Sequence, residues 1–314
     1  MANKALNFLV RCRVVFLICA AFVIGGCEGP IREGIRPTRV TIAFYDDQWS
    51  QPGVGRKLAA EIAARRAFLV GHTGGADGVV RWTSPNSSAP APLTPRLTRR
   101  EAPGVGYSLE YGPLHLTVIE TKDPLRAGGD AYRRLLEDLS LTEKPCKVIL
   151  MSQPIFSAGP VPVDRERLDL ADLLARERAL LAISTESSPA VPPTGPAGKG
   201  VAGPLYFRSA RIGPSMQESV QYVVMGSDRP AEEQKPAFAW VARTIVQPYF
   251  CVLDARLREL HWAAYDQDGR MVDEIVLTPA QRVAGASRLF SVSEVLASLT
   301  GQEPGDTSES AVEK

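Results

Sequence analysis

Four residues in the first third of the chain have the types and spacing that metal chemistry uses. Asp46 and Asp47 follow a β-branched, aromatic stretch, and His72 and Asp77 fall within the glycine-rich run 71–78. Two carboxylates and an imidazole meeting at adjacent strand ends could hold one divalent cation, with iron, manganese or zinc as candidates. The same residues also suit a humbler role. Asp46 and Asp47 can cap the loop that follows them, and the Gly-rich run can be a tight turn. Other chemistries find less support. No Gly-x-Ser-x-Gly elbow is present. The run 71–78 lacks the Lys-Ser/Thr ending of a phosphate-binding loop.

A second chemical residue stands near the amino terminus. Lys4, Arg11 and Arg13 precede an unbroken apolar run, 14–24, and Gly25-Gly26-Cys27 follows. A basic start, a short apolar core and small residues mark a secretory signal. The run is shorter than the roughly 20 apolar residues that span a bilayer. Ile24-Gly25-Gly26-Cys27 resembles the lipobox of bacterial lipoproteins. The resemblance implies diacylation of Cys27, removal of residues 1–26, and a body held on the periplasmic side of the bacterial cell envelope, with the membrane and an envelope protein as partners. Acyl chains add about 0.8 kcal/mol per buried methylene, so two or three anchor stably.

The elements that would position these residues can be read from patterning. Residues 27–38 form a tether, 39–45 (RVTIAFY) a strand, 54–66 a helix, and 67–71 a second strand. Residues 83–104 read as an irregular loop. A hairpin follows over 107–111 and 114–121. Asp130 caps a helix running to Leu141, whose stripe is Tyr132, Leu135, Leu136 and Leu139. KVILM, 147–151, is a buried strand. A helix over 168–180 precedes a strand at 181–184, and 187–203 is a Pro/Gly/Ala-rich loop suited to partner contact. Later strands fall at 205–212, 220–225, 249–254, 259–265 and 274–277, with a helix at 291–299 and a polar tail over 301–314. The expected architecture is α/β, a sandwich of two mixed sheets flanked by helices, with its domain over 39–280 and a partly disordered segment over 281–314.

The 36 Lys and Arg residues nearly balance the 35 Asp and Glu. That argues against a nucleic-acid partner, which calls for a concentrated basic face. Cys146 and Cys251 either pair in an oxidising compartment or remain two buried thiols, and the second reading is preferred.

The middle of the chain resembles the calcineurin-like metallophosphoesterases, in their purple acid phosphatase-like branch. Three segments carry the resemblance: GYSLEYGPLHLTVI (106–119), the helix around Tyr132 and Leu139, and KPCKVILMSQPIFS (144–157). Residues 220–226 and 249–277 are similar to the family's closing strands. Asp46-Asp47 stands where the family's first aspartate motif belongs, and His72-Thr73-Gly74-Gly75 where its "HTGD" belongs. The resemblance implies a two-metal site, and the sequence departs from it there. Gly75 replaces the aspartate of "GD", and Ser152-Gln153 replaces the histidine pair before Pro154. Ser184-Thr185-Glu186-Ser187-Ser188 replaces "SGHDH", and Asn86 is followed by Ser87 rather than histidine. His115 and His261 read as packing residues within strands. Three functions are carried forward. The first is a tethered pseudoenzyme on the phosphoesterase scaffold. The second is a divergent phosphoesterase with one metal at Asp46 or Asp47, His72 and Asp77. The third is a carrier or assembly lipoprotein.

Overall fold

β-branched and aromatic residues alternate with short polar turns along most of the chain, and strands dominate the result. The computed structural model describes residues 37–46, 52–73, 80–83, 98–102, 104–120, 125–156, 164–185, 206–226, 238–245, 247–279 and 288–300. All of them belong to the unit Pro37–Lys314. Cys27, the signal segment, Asp47, Asp77, the loop 187–203 and the tail 301–314 lie outside the described residues.

One sheet contains β1 (Arg39–Asp46), β2 (Leu69–Thr73), β3 (Arg81–Thr83), β12 (Tyr249–Arg256), β13 (Glu259–Asp266) and β14 (Met271–Leu277), in the order β14-β13-β12-β1-β2-β3. The other contains β4 (Thr98–Ala102), β5 (Gly106–Tyr111), β6 (Leu114–Ile119), β7 (Cys146–Met151), β8 (Leu181–Thr185), β9 (Tyr206–Ile212), β10 (Val220–Met225) and β11 (Val241–Ile245). Its order is β11-β9-β10-β8-β7-β6-β5-β4, with β15 (Leu289–Phe290) pairing β9. Both sheets are mixed: β1 runs parallel to β2 but antiparallel to β12, and β6, β7, β8 and β10 are successive parallel neighbours. This is the expected α/β sandwich.

The two sheets face each other across a core that includes Phe44, Leu116, Leu150, Cys251 and Trp262. The outer face of the larger sheet is covered by α2 (Asp130–Leu141), α3 (Arg165–Arg176) and α4 (Val292–Thr300), through Leu135, Leu139, Leu173, Leu174 and Val295. Helix α1 (Pro52–Ala64) covers the smaller sheet through Leu58 and Ile62. The central strand β7 is apolar on both faces because it is covered on both, as a parallel sheet requires. Residues 288–300 join the same body: Trp240 Nε1 donates to Ser298 Oγ at 2.9 Å.

Two local expectations are corrected and one pair of alternatives is decided. The stretch expected as an irregular loop, 83–104, contains β4, where the polar run TRREA becomes an edge strand by pairing with β5. Asp130 is the first residue of α2, not its cap. Gly129 holds the cap position without a side-chain bond, and Asp130 is ion-paired to Arg133. Cys146 and Cys251 are both free and buried, on strands of different sheets, so the preferred thiol reading holds and the pairing alternative does not.

Candidate functional site

Parallel strands bring their carboxyl ends to one edge, and here both sheets do so at the same rim. Phe44 of β1 lies opposite Cys251 of β12, so the start of β12 sits where β1 ends. Tyr249, at that start, accepts a hydrogen bond on its hydroxyl from Gly226 N, the residue after β10, at 3.0 Å. The ends of β1, β2, β7, β8 and β10 therefore converge. In open α/β sheets this edge is the usual place for a ligand.

The register places two of the predicted ligands close together in backbone. Tyr45 pairs with His72 and Asp46 with Thr73. Asp46 thus ends β1 one position beyond the residue opposite His72. Asp47 and Asp77 lie outside the described residues. Gly71, the residue before His72, has no room for a side chain, since a Cβ there would meet Phe44 and Trp82 ring carbons at 2.8 and 2.9 Å.

His72 is a poor candidate for a cation ligand in this arrangement. Its ring is buried, with its centroid 4.6 Å from that of Tyr45. Its Nε2 lies 2.7 Å from Thr83 Oγ1, and its Nδ1 lies 3.3 Å from Arg81 Nη2. Arginine can only donate, so Nδ1 accepts and Nε2 carries the proton toward Thr83. The one lone pair, on Nδ1, accepts from Arg81 and the Nε2 proton is directed at Thr83, so both ring nitrogens are engaged within the protein, and a guanidinium stands beside the ring.

Polar side chains at the rim have work within the fold. Thr73 Oγ1 donates to Tyr45 O at 3.3 Å, bracing β2 to β1. Ser184 Oγ donates to Val223 O at 3.3 Å, bracing β8 to β10. Thr185 Oγ1 donates to Met151 O at 3.5 Å, bracing β8 to β7. The exposed Gln153 accepts from Arg167 Nη2 at 3.4 Å. Hydroxyls at these strand ends donate to neighbouring carbonyls, whereas a cation site would need imidazole nitrogens or carboxylate oxygens aimed into the rim. Among the described residues no group of three or more His, Cys, Asp or Glu side chains is placed to share a metal ion.

The other two histidines are far from this rim. His115 lies near the start of β6, fully buried against α2. Its Nδ1 is 3.1 Å from Glu110 Oε1 and its Nε2 is 3.0 Å from Asp138 Oδ2. Ser108 and Thr117 donate to the same Asp138 carboxylate at 2.9 and 2.8 Å. Burial pushes the Asp138 carboxyl up, but His115 and the two hydroxyls outweigh it and hold it below the usual carboxylate value. The expectation that His115 packs within the strand is met, and the ionic network around it is additional. Its signal was present in the sequence. Polar residues at every second position of the hairpin (Ser108, Glu110, His115, Thr117) face an Asp that lies on the apolar stripe of α2. His261 is bound at 2.6 Å to Glu274 on the neighbouring strand.

No protein-family model matches the chain, and no curated protein does. Solved structures do resemble it. A purple acid phosphatase from yellow lupin (Lupinus luteus) seeds matches with a TM-score of 0.48 at 12% identity, over 87% of this chain and 57% of the lupin protein. The GAP50 anchor in the inner membrane complex of Plasmodium matches with a TM-score of 0.48 at 12% identity, over 84% of this chain and 95% of GAP50. A Streptococcus pneumoniae TIGR4 protein described as a predicted phosphoesterase matches with a TM-score of 0.28 at 12% identity, over 76% of this chain and 99% of that one. These are distant likenesses in backbone course and say nothing of chemistry. The chain spans little more than half the length of the lupin protein.

Proposed function

We propose that this chain is an exported lipoprotein, tethered through Cys27. On this reading its metallophosphoesterase-like body binds or braces envelope components and does not hydrolyse phosphate esters. One observation carries the catalytic half of the reading. The sequence has three histidines, and only His72 lies at the rim where the parallel strands end, with both ring nitrogens already engaged. A two-metal mechanism needs several nitrogen and oxygen ligands around cations roughly 3.5–4 Å apart. The rim hydroxyls of Thr73, Ser184 and Thr185 support the same conclusion by serving as braces between strands. The tether half rests on the basic start, the apolar run 14–24 and Gly25-Gly26-Cys27.

The test is metal content and phosphomonoester hydrolysis of the purified protein after incubation with iron, manganese or zinc. The expected result is substoichiometric metal and background turnover with each ion. One or more equivalents of metal, lost together with turnover in Asp46→Ala and His72→Ala, would establish the divergent phosphoesterase instead. For the tether, Cys27→Ser should move the protein from the membrane to the soluble fraction. Unchanged membrane retention would refute lipidation at that residue.

A further inference from the structure

At the opposite corner of the sandwich from the His72 rim, the sheets part along β9 and β14 and leave a cleft of about 580 Å³. Its lining includes Arg208, Arg211, Gln221, Glu274, Arg288 and Phe290. The volume falls within the range of small-molecule sites, roughly 300–1,000 Å³. Three arginines face one glutamate in this lining, and the arginines are not alike.

Arg208 is neutralised. Its Nε and Nη2 reach the two oxygens of Asp273 at 2.6 and 2.8 Å, and Tyr206 donates to the same carboxylate at 2.7 Å. Glu274 is taken up by His261, at 2.6 Å. Arg211 is different. It is only 5% exposed, and its hydrogen bonds go to neutral groups, from Nε to Ser219 Oγ at 2.8 Å and from Nη2 to Ser219 O at 2.9 Å. Among the described residues no carboxylate forms an ion pair with it. Arginine stays protonated in proteins, and a buried charge without a counter-charge is costly. Burial lowers the pKa of this guanidinium, and no acid among the described residues raises it. Arg288, at the mouth, lies over the Phe290 ring at 4.6 Å, with Glu294 a more distant influence. A buried cation facing a ligand-sized cleft, with a second cation on an aromatic face beside it, is the arrangement that receives an oxyanion carried on a partly apolar molecule.

We propose that the cleft between β9 and β14 binds a small soluble molecule through a phosphate or carboxylate group, with Arg211 as the buried anion partner and Arg288 closing over it from the mouth. This site is separate from the strand-end rim and holds whether or not the rim binds metal.

Inorganic phosphate, succinate and chloride, titrated at matched ionic strength against the thermal unfolding midpoint of the full chain, test the proposal. Phosphate stabilises proteins generically by exclusion, so the informative quantity is saturation. The expected result is a saturable rise with phosphate or succinate and none with chloride. Which of the two saturates identifies the anion class. Arg211→Met should abolish the saturable response. Arg288→Ala, an exposed change that leaves the fold intact, should weaken the apparent affinity by about two- to fivefold, the range for an exposed charge contact. The proposal is overturned if neither anion saturates, or if Arg211→Met responds like the parent. Should Arg211→Met fail to fold, an unchanged affinity in Arg288→Ala overturns it equally.

Discussion

Replacing Asp138 by alanine should be among the most damaging single changes in the protein, although the residue lies far from the rim. Its carboxylate is 5% exposed and accepts from Ser108 at 2.9 Å, Thr117 at 2.8 Å and His115 Nε2 at 3.0 Å. Hydrogen bonds to a charged group contribute about 1.5–3 kcal/mol each, and a buried donor left without a partner costs about 1–3 kcal/mol. The three bonds share one carboxylate and cannot be added independently. A loss of roughly 3–5 kcal/mol follows, a large part of a typical total stability of about 5–15 kcal/mol. With a urea dependence of about 3 kcal/mol per molar, the unfolding midpoint should fall by roughly 1–2 M. The pH dependence supplies an independent check. The folded carboxyl lies below its unfolded value, so its stabilisation is fully present above the unfolded pKa and is lost as pH falls through the folded one. The gap between parent and Asp138→Ala should stay constant from neutral pH down to about pH 5 and shrink in more acidic solution. A midpoint shift of less than a few tenths molar, or a gap that persists unchanged into strong acid, would refute the view that α2 seals an ionised carboxylate against the sheet.

Other expectations follow from single contacts. Burial pushes the Cys146 thiol up to about 12 and the Cys251 thiol higher than its usual value, so neither should react with a thiol reagent at pH 8 until urea unfolds the chain, as absorbance would report. Asp164→Ala removes the cap that accepts from Arg167 N at 2.9 Å and should cost about 1 kcal/mol by urea titration, without changing the circular dichroism of the native state. Tyr206→Phe deletes the hydroxyl that donates to Asp273 and accepts from Trp262 Nε1 at 3.1 Å. Stranding the indole N–H should cost about 1–3 kcal/mol in the same assay.

The strands that could be read from sequence are those whose own residues carry the signal. RVTIAFY and KVILM are β-branched or uniformly apolar, and their burial in β1 and β7 follows from composition. β4 could not be read this way, because TRREA is strand only by virtue of the hairpin beside it. The Asp130 cap was misplaced by one residue, because the side chain found Arg133 before it could turn back to the helix end. At the rim, Ser152 and Gln153 standing where the resemblance expects a histidine pair, and Ser184 and Thr185 opening the stretch set against "SGHDH", are plain in the sequence. What those hydroxyls do instead depends on which carbonyl each neighbouring strand presents, and that is set by sheet order. The Arg211 cleft had no local signature at all. It exists because a strand from the end of the chain faces one from the middle, and only three dimensions reveal that one arginine has an acid opposite it and the other does not.

The position of β1 has a consequence for how the chain is made. It is hydrogen-bonded on one side to β2, close in sequence, and on the other to β12, where Arg39 meets Asp254 at a separation of 215 residues. As the polypeptide emerges from its amino end, the first strand remains an open edge until nearly the whole domain has been synthesised. Pairings over such distances form slowly, and an unpaired apolar edge invites association with other chains in the interval. A protein built this way depends on whatever shields its first strand while its last ones are still to come.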